Sequence, residues 1–214
     1  MNKLLRKVNG PYGTNCYLLL KEKGVSLIDA PFPASKLIDE IKKYGELENI
    51  FLTHAHFDHT LALPSLLKEW PNAKVFLSEE DFYYFEDHGV HTKEQLMGFD
   101  PFFLSRYGED IASLPQKVEL IKDGDEINGL QVIATPGHTK GSVCYYDKED
   151  GVLFSGDTLF YNSVGRVDLG GDEKALLLSL KKLMLLPSST VVLPGHGGET
   201  TIEEELNNNP YIRN

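Results

Sequence analysis

Positive charge and cysteine are both scarce in this chain. Lys and Arg number 21 against 32 Asp and Glu, which leaves a formal net charge of −11. A nucleic-acid groove needs a basic patch or stripe. The basic residues here are scattered without a run, so no nucleic-acid partner is expected. The only cysteines are Cys16 and Cys144, each inside an apolar, β-prone stretch (Cys16-Tyr17-Leu18-Leu19-Leu20 and Val143-Cys144-Tyr145-Tyr146). They read as small core residues, not as a disulfide framework. No apolar run approaches the ~20 residues that span a bilayer. The basic start, Met1-Asn2-Lys3-Leu4-Leu5-Arg6-Lys7, has no apolar stretch behind it of the kind a signal peptide carries. The expectation is a cytoplasmic protein, monomer or homodimer, with no membrane partner. Linkers and low-complexity segments are lacking too, so residues 1–214 are expected to form a single domain around one large core.

What is present is a sequence of short strands and helices. Residues 3–8, 15–20 and 24–29 read as three strands, the last two joined by the polar turn Lys21-Glu22-Lys23-Gly24. An amphipathic helix is expected from about Ser35 to Tyr44, with Leu37, Ile38, Ile41 and Tyr44 as its apolar stripe and Gly45 as its stop. A buried strand at 49–53, a helix through Leu61 to Trp70 and a strand at 74–77 follow. Residues 79–117 are dense in aromatics. Asp87-His88-Gly89 and Gly98-Phe99-Asp100-Pro101 break any long helix there, so short helices or an ordered loop are expected. His88 and His91 in that segment read as surface residues. Strands are then expected near 125–127 and 130–134 around the turn Asn128-Gly129, and near 142–147, 151–154 and 190–193. A helix from Asp172 to Leu185 and another beginning near Thr201 complete the chain. Strands in consecutive runs, each run followed by helices, suit two sheets with helices outside them better than a doubly wound parallel sheet.

The chain is organised around Thr53-His54-Ala55-His56-Phe57-Asp58-His59, on the turn between a strand and a helix. Neutral imidazole and carboxylate are the natural ligands of borderline divalent metals. Alternation along an extended segment sends His54 and His56 to one side. The turn can swing Asp58 and His59 toward a second point, which suggests two adjacent metal positions. A loop whose histidines merely cap the next helix would need one such residue, not four.

Three later segments repeat one pattern: an apolar strand, a glycine, then a ligand-type residue. They are Ile133-Ala134-Thr135-Pro136-Gly137-His138, Leu153-Phe154-Ser155-Gly156-Asp157 and Val191-Val192-Leu193-Pro194-Gly195-His196. With the first cluster they supply five histidines and two aspartates, enough for two metals if one carboxylate bridges and water completes the shells.

The set His54-x-His56-x-Asp58-His59, then His138, Asp157 and His196, resembles the metallo-β-lactamase superfamily from about Asp29 to the end of the chain. The resemblance implies an α/β fold, a four-layer αββα sandwich. It assigns His54, His56 and His138 to one metal, Asp58, His59 and His196 to the other, and Asp157 to both. Asp29 matches the acidic residue at the end of an early strand that orients the histidine loop. Gly137-His138-Thr139-x-Gly141-Ser142, Ser155-Gly156-Asp157-Thr158-Leu159-Phe160, Gly165-Arg166 and Asn209-Pro210-Tyr211-Ile212 are similar to the glyoxalase II-like (hydroxyacylglutathione hydrolase) branch, in its short bacterial form. Lys140 departs from it, standing where that branch has proline.

What this implies is hydrolysis of a small-molecule thioester. Two divalent cations, zinc first and iron or manganese also accepted by this ligand set, would share a nucleophilic water. Asp58 would orient the water's proton as the catalytic carboxylate. Arg166 would meet a substrate carboxylate, unless it pairs instead with Asp168 on the surface. The competing expectation is a persulfide dioxygenase with a single iron on His54, His138 and Asp157.

Overall fold

The computed structural model describes residues 3–21 and 24–213, so Met1, Asn2, Asn214 and the turn residues Glu22 and Lys23 lie outside the described residues. The chain divides into two compact units, one of residues 1–77 and 82–120, the other of 78–81 and 121–214.

The first unit is built on β1 (Lys3–Asn9), β2 (Thr14–Lys21), β3 (Gly24–Ile28), β4 (Leu47–Phe51), β5 (Lys74–Ser78) and β6 (Glu119–Ile121), in that order across one sheet. The β1–β2 and β2–β3 pairs are antiparallel, and β3–β4 and β4–β5 are parallel. Parallel neighbours need a crossover connection. Helix α1 (Ala34–Ile41) provides the first, and α2 (Phe57–Thr60) with α3 (Leu63–Glu69) provides the second. Cys16, Leu18, Leu27, Leu37, Ile50, Leu52 and Leu63 are among the buried residues of its core. Helices α4 (Glu86–Phe99) and α5 (Pro101–Ala112) add Leu96, Phe103 and Ile111 to that core, and Phe85, just before α4, joins them.

In the second unit, β7 (Glu126–Ile127), β8 (Leu130–Ala134), β9 (Val143–Asp147) and β10 (Val152–Gly156) form an antiparallel run. A two-stranded ribbon follows, β11 (Leu159–Phe160) with β12 (Ser163–Val164). Helix α6 (Glu173–Leu183) then crosses over to β13 (Val191–Pro194), which pairs with β10 in parallel. Strand β14 (Thr200–Thr201) closes the sheet, and α7 (Ile202–Asn208) follows. Cys144, Leu153, Leu176, Leu180, Val192 and Ile202 form its core. No helix among the described residues is long and apolar enough to cross a membrane.

Most elements fall where expected, and the departures have local causes. Helix α1 stops at Ile41 because the next residues tighten into i→i+3 bonds, Lys43 N to Glu40 O and Tyr44 N to Ile41 O. Tyr44 therefore leaves the apolar stripe and is 40% exposed. The helix expected through Leu61–Trp70 is α3, with Pro64 in its first turn where a missing N–H is tolerated, and the short α2 on the histidine turn before it is an addition. Asp87, His88 and Gly89 all take positive φ inside α4, which makes the break expected there. His88 and His91 are exposed. The ribbon β11–β12 and strand β14 are too short for a periodicity to announce them.

Candidate metal centre

Each ligand-type residue follows the C-terminal end of a strand. In the first unit, β4 ends at Phe51 and the chain runs on to His54 and His56 before α2 begins at Phe57. His54, His56 and His59 are buried, and Asp58 is partly so. His56 occupies the N-cap position of α2 without a side-chain capping hydrogen bond, so the histidines do not serve as caps. The rings of His54 and His56 stand 4.8 Å apart, those of His54 and His59 4.2 Å. Asp58 Oδ2 lies 3.6 Å from His59 Nε2 and accepts a hydrogen bond from Thr14 Oγ1 at 3.0 Å.

The second nitrogen of each ring decides which nitrogen is left for a metal. Asp29 Oδ2 sits 2.8 Å from His59 Nδ1. A carboxylate can only accept, so Nδ1 carries the proton and Nε2 keeps its lone pair. The Thr53 hydroxyl donates to Asp29 Oδ2 at 2.9 Å and lies 3.0 Å from His54 Nδ1. With its one proton committed, Thr53 must accept from that nitrogen, which again leaves Nε2. His56 Nε2 lies 3.1 Å from the Gln95 side-chain amide nitrogen. Asp29 also accepts from Thr53 N at 2.8 Å. It does so with φ at 58°, a left-handed conformation in which short polar side chains are the least disfavoured. Strain of this kind persists where several bonds over-determine it.

In the second unit, His138 Nδ1 donates to the Arg166 carbonyl oxygen at 2.6 Å, leaving Nε2 for a metal. One oxygen of Asp157, Oδ2, lies 3.6 Å from His138 Nε2 and 3.4 Å from His196 Nε2. Gly156, with φ at 49°, turns the chain into Asp157. Gly165 passes so close behind that a Cβ there would collide with the Asp157 carbonyl oxygen and come within 3.3 Å of His138 Cβ. Nitrogen and carboxylate donors without a thiolate suit zinc, iron or manganese.

Two acidic residues and one amide were not singled out by the sequence. Asp81 is fully buried and accepts from Gly141 N at 2.7 Å and Thr139 Oγ1 at 2.8 Å, which fixes the turn carrying His138. Glu205 is fully buried and accepts from Thr200 Oγ1 and Asn209 Nδ2, both at 2.7 Å, and from Asn162 N at 3.1 Å. Each is the last of three consecutive acids, Glu79-Glu80-Asp81 and Glu203-Glu204-Glu205, and such runs read as solvated charge. Gln95, beside His56, lies in the aromatic-rich segment, where no ligand pattern drew notice.

Arg166 has two faces. Its carbonyl holds His138, but its guanidinium makes a fork with Asp168, Nε to Oδ1 at 2.6 Å and Nη2 to Oδ2 at 2.5 Å, both side chains largely exposed. The hydrogen bonds from Arg166 hold the Asp168 carboxyl down to about 2. The surface pair weighed against substrate contact is thus the arrangement found.

The family model described as Metallo-beta-lactamase superfamily matches residues 9–196. The Bacillus subtilis protein named "Probable metallo-hydrolase YqgX" is 34% identical, covering 95% of this chain and 94% of its own length. A crystal structure of TTHA1623 in a di-iron-bound form is 37% identical with a TM-score of 0.83, covering 97% of this chain and 99% of that one. The hydroxyacylglutathione hydrolase GloC of Haemophilus influenzae is 31% identical over 92% of both chains. The family match takes in every ligand-type position from His54 to His196, and on it this chain belongs to the metallo-β-lactamase superfamily and has its α/β fold.

Proposed function

We propose that this member of a metallo-hydrolase superfamily is a binuclear thioester hydrolase of the hydroxyacylglutathione hydrolase type, its two units acting as one catalytic domain. His54, His56 and His138 would hold one divalent cation, and Asp58, His59 and His196 the other, with Asp157 shared. The observation that carries this reading is the position of Asp157 Oδ2, within 3.6 Å of the ligand-type nitrogens of both His138 and His196. These are the two histidines that the family pattern gives to different metals. Bound there, a pair of cations supplies Lewis acidity, which acidifies water and polarises a carbonyl.

The chain's own residues do the rest. Thr14 fixes Asp58, whose carboxylate orients a water and takes its proton. Asp29, Thr53 and the Arg166 carbonyl hold His59, His54 and His138 in one tautomer each. A leaving thiol with an ordinary pKa of ~8.5 departs as thiolate without a dedicated acid. Arg166 is proposed to exchange Asp168 for a substrate carboxylate. The kinship with GloC supports the thioester class, and the di-iron form of TTHA1623 supports counting iron beside zinc among the candidates.

The test is elemental analysis paired with hydrolysis of S-D-lactoylglutathione and other acyl thioesters. About two ions per chain and thioester turnover are expected. Full activity with one ion overturns the binuclear reading. Oxygen uptake with glutathione persulfide, without thioester hydrolysis, replaces it with the oxidative one.

A further inference from the structure

Helix α5 does more than complete a core. With its N-cap Asp100, the turn after β1 and Phe32, it lines a groove of roughly 520 Å³ whose walls include Tyr12, Phe32, Phe102, Phe103 and Tyr107, with Arg106 at its edge. The rings form a continuous set. Phe32 and Tyr107 stand 4.4 Å apart, Phe103 and Tyr107 4.5 Å, and Phe57 and Phe103 5.0 Å. Phe57 immediately precedes Asp58. A smaller hollow lined by Thr14 and Asp58 shares Tyr12, Phe32 and Phe103 with the groove, so the aromatic wall runs to the catalytic carboxylate.

The charges in the groove are unequal. Asp100 is engaged, accepting from Tyr12 Oη at 2.7 Å and from Phe103 N at 2.9 Å at the start of α5. Arg106 is exposed and lies 5.6 Å from the centre of the Tyr107 ring. Its guanidinium meets no carboxylate among the described residues, in a chain that carries a formal charge of −11. Phe102, on the same rim, is 75% exposed. An exposed aromatic beside a planar cation that is already stacked is suited to an apolar, ring-bearing group ending in an anion.

We propose that this groove is a specificity subsite for an arylalkyl arm of the substrate that ends in a carboxylate, with Arg106 as the carboxylate's partner. The turnover part of this proposal rests on the hydrolase reading above; the binding part does not. The arm lies along Phe103 and Tyr107, and the scissile carbonyl stands at the Asp58 end. Tyr12 is held by Asp100, and burial and that carboxylate push its pKa above the ordinary phenol value, so it presents a neutral edge to the arm.

Three thioesters of N-acetylcysteamine test it: lactoyl, phenylacetyl and 4-carboxyphenylacetyl. The leaving thiol lacks carboxylates, so Arg166 does not enter. The native protein is expected to favour the carboxylated aryl arm over the plain one in kcat/KM. Arg106→Ala is expected to remove about tenfold of that preference, the worth of one charged contact. Phe102→Ala is expected to lower both aryl thioesters relative to lactoyl. A preference that Arg106→Ala leaves untouched overturns the subsite while the hydrolase reading stands. Binding of 4-phenylbutyrate and of its neutral amide, followed by NMR on the whole protein, separates the two failures. Arg106-dependent binding of the acid without any thioester turnover keeps the subsite and removes the hydrolase reading. Concentration-dependent dimerisation that Phe102→Asp abolishes gives the groove to a second copy of the chain and overturns the proposal.

Discussion

In the first unit, four ligand-type side chains leave a single turn, from His54 after β4 to His59 inside α2. In the second, three leave the ends of three separate strands, β8, β10 and β13. A turn of six residues carries its geometry with it, because local backbone and the Asp29 bonds set the spacing. Three strand ends have no such autonomy. Their spacing depends on the register of β8, β9, β10 and β13 and on how closely the intervening loops pack. The first unit should therefore tolerate distant repacking that the second does not.

The largest effect is expected at Asp157. Asp157→Ala should abolish nearly all turnover and lower the metal content of both positions, read by elemental analysis. Activity within a few-fold of the native protein would remove its shared role. Gly165→Ala comes next. The new Cβ meets the Asp157 carbonyl oxygen, and overpacking of this kind costs about 1–3 kcal/mol. Denaturant unfolding together with metal content reads it. A protein with native stability and full metal would mean that the strand ends are less dependent on loop packing than argued.

A matched pair sharpens the contrast. Asp29→Asn and Asp81→Asn each weaken one buried anchor, the first of the histidine turn and the second of the His138 turn. Loss of a partner that orients a ligand typically costs 10–100-fold in metal affinity. Asp29→Asn is expected to cost more, because Asp29 touches His59 itself, whereas Asp81 acts through Thr139 and Gly141. Titration with metal in competition with a chelator measures both. A larger loss for Asp81 would reverse the ranking.

The smallest stability effect belongs to the Arg166–Asp168 pair. The Asp168 carboxyl is held at about 2 by Arg166, below its unfolded value of ~3.9. Its contribution is therefore present above that unfolded value and is lost as pH falls through about 2. Both groups are largely exposed, so solvent and salt screen the pair and little stability is at stake. Kinetics is the sharper probe. Arg166→Ala should raise KM on an acyl-glutathione on the order of tenfold with kcat little changed. An equal change on a thioester without glutathione carboxylates would take Arg166 out of substrate binding.

The same contrast explains what the sequence revealed. His54, His56, Asp58 and His59 are legible because one turn holds them all, and His138, Asp157 and His196 because each follows an apolar strand and a glycine. Strands with apolar runs and helices with caps, such as Asp172 before α6 and Thr201 before α7, were placed to within a residue or two. Asp81 and Glu205 stayed hidden because inward orientation depends on the third dimension. Their neighbours in each run are exposed or only partly buried, and the last of each triplet alone is fully buried among donors. Gln95 was hidden for a related reason: its partner His56 lies 39 residues earlier in the chain. The Arg166 side chain misled because a loop position beside a ligand says nothing of what the guanidinium already holds.

The two cysteines have a practical consequence. Each unit has one thiol in its own core, Cys16 in the first and Cys144 in the second. Burial pushes the Cys144 thiol up to about 11 and raises that of Cys16 as well. Only the thiolate attacks an alkylating reagent, and only where the reagent can reach it. The native protein is therefore expected to be silent to such a reagent until a core opens. A labelling pulse read at the two cysteine peptides would time the breathing of each half independently. Repeated with metal added, it would distinguish halves that open as one cooperative piece from halves that come apart in sequence.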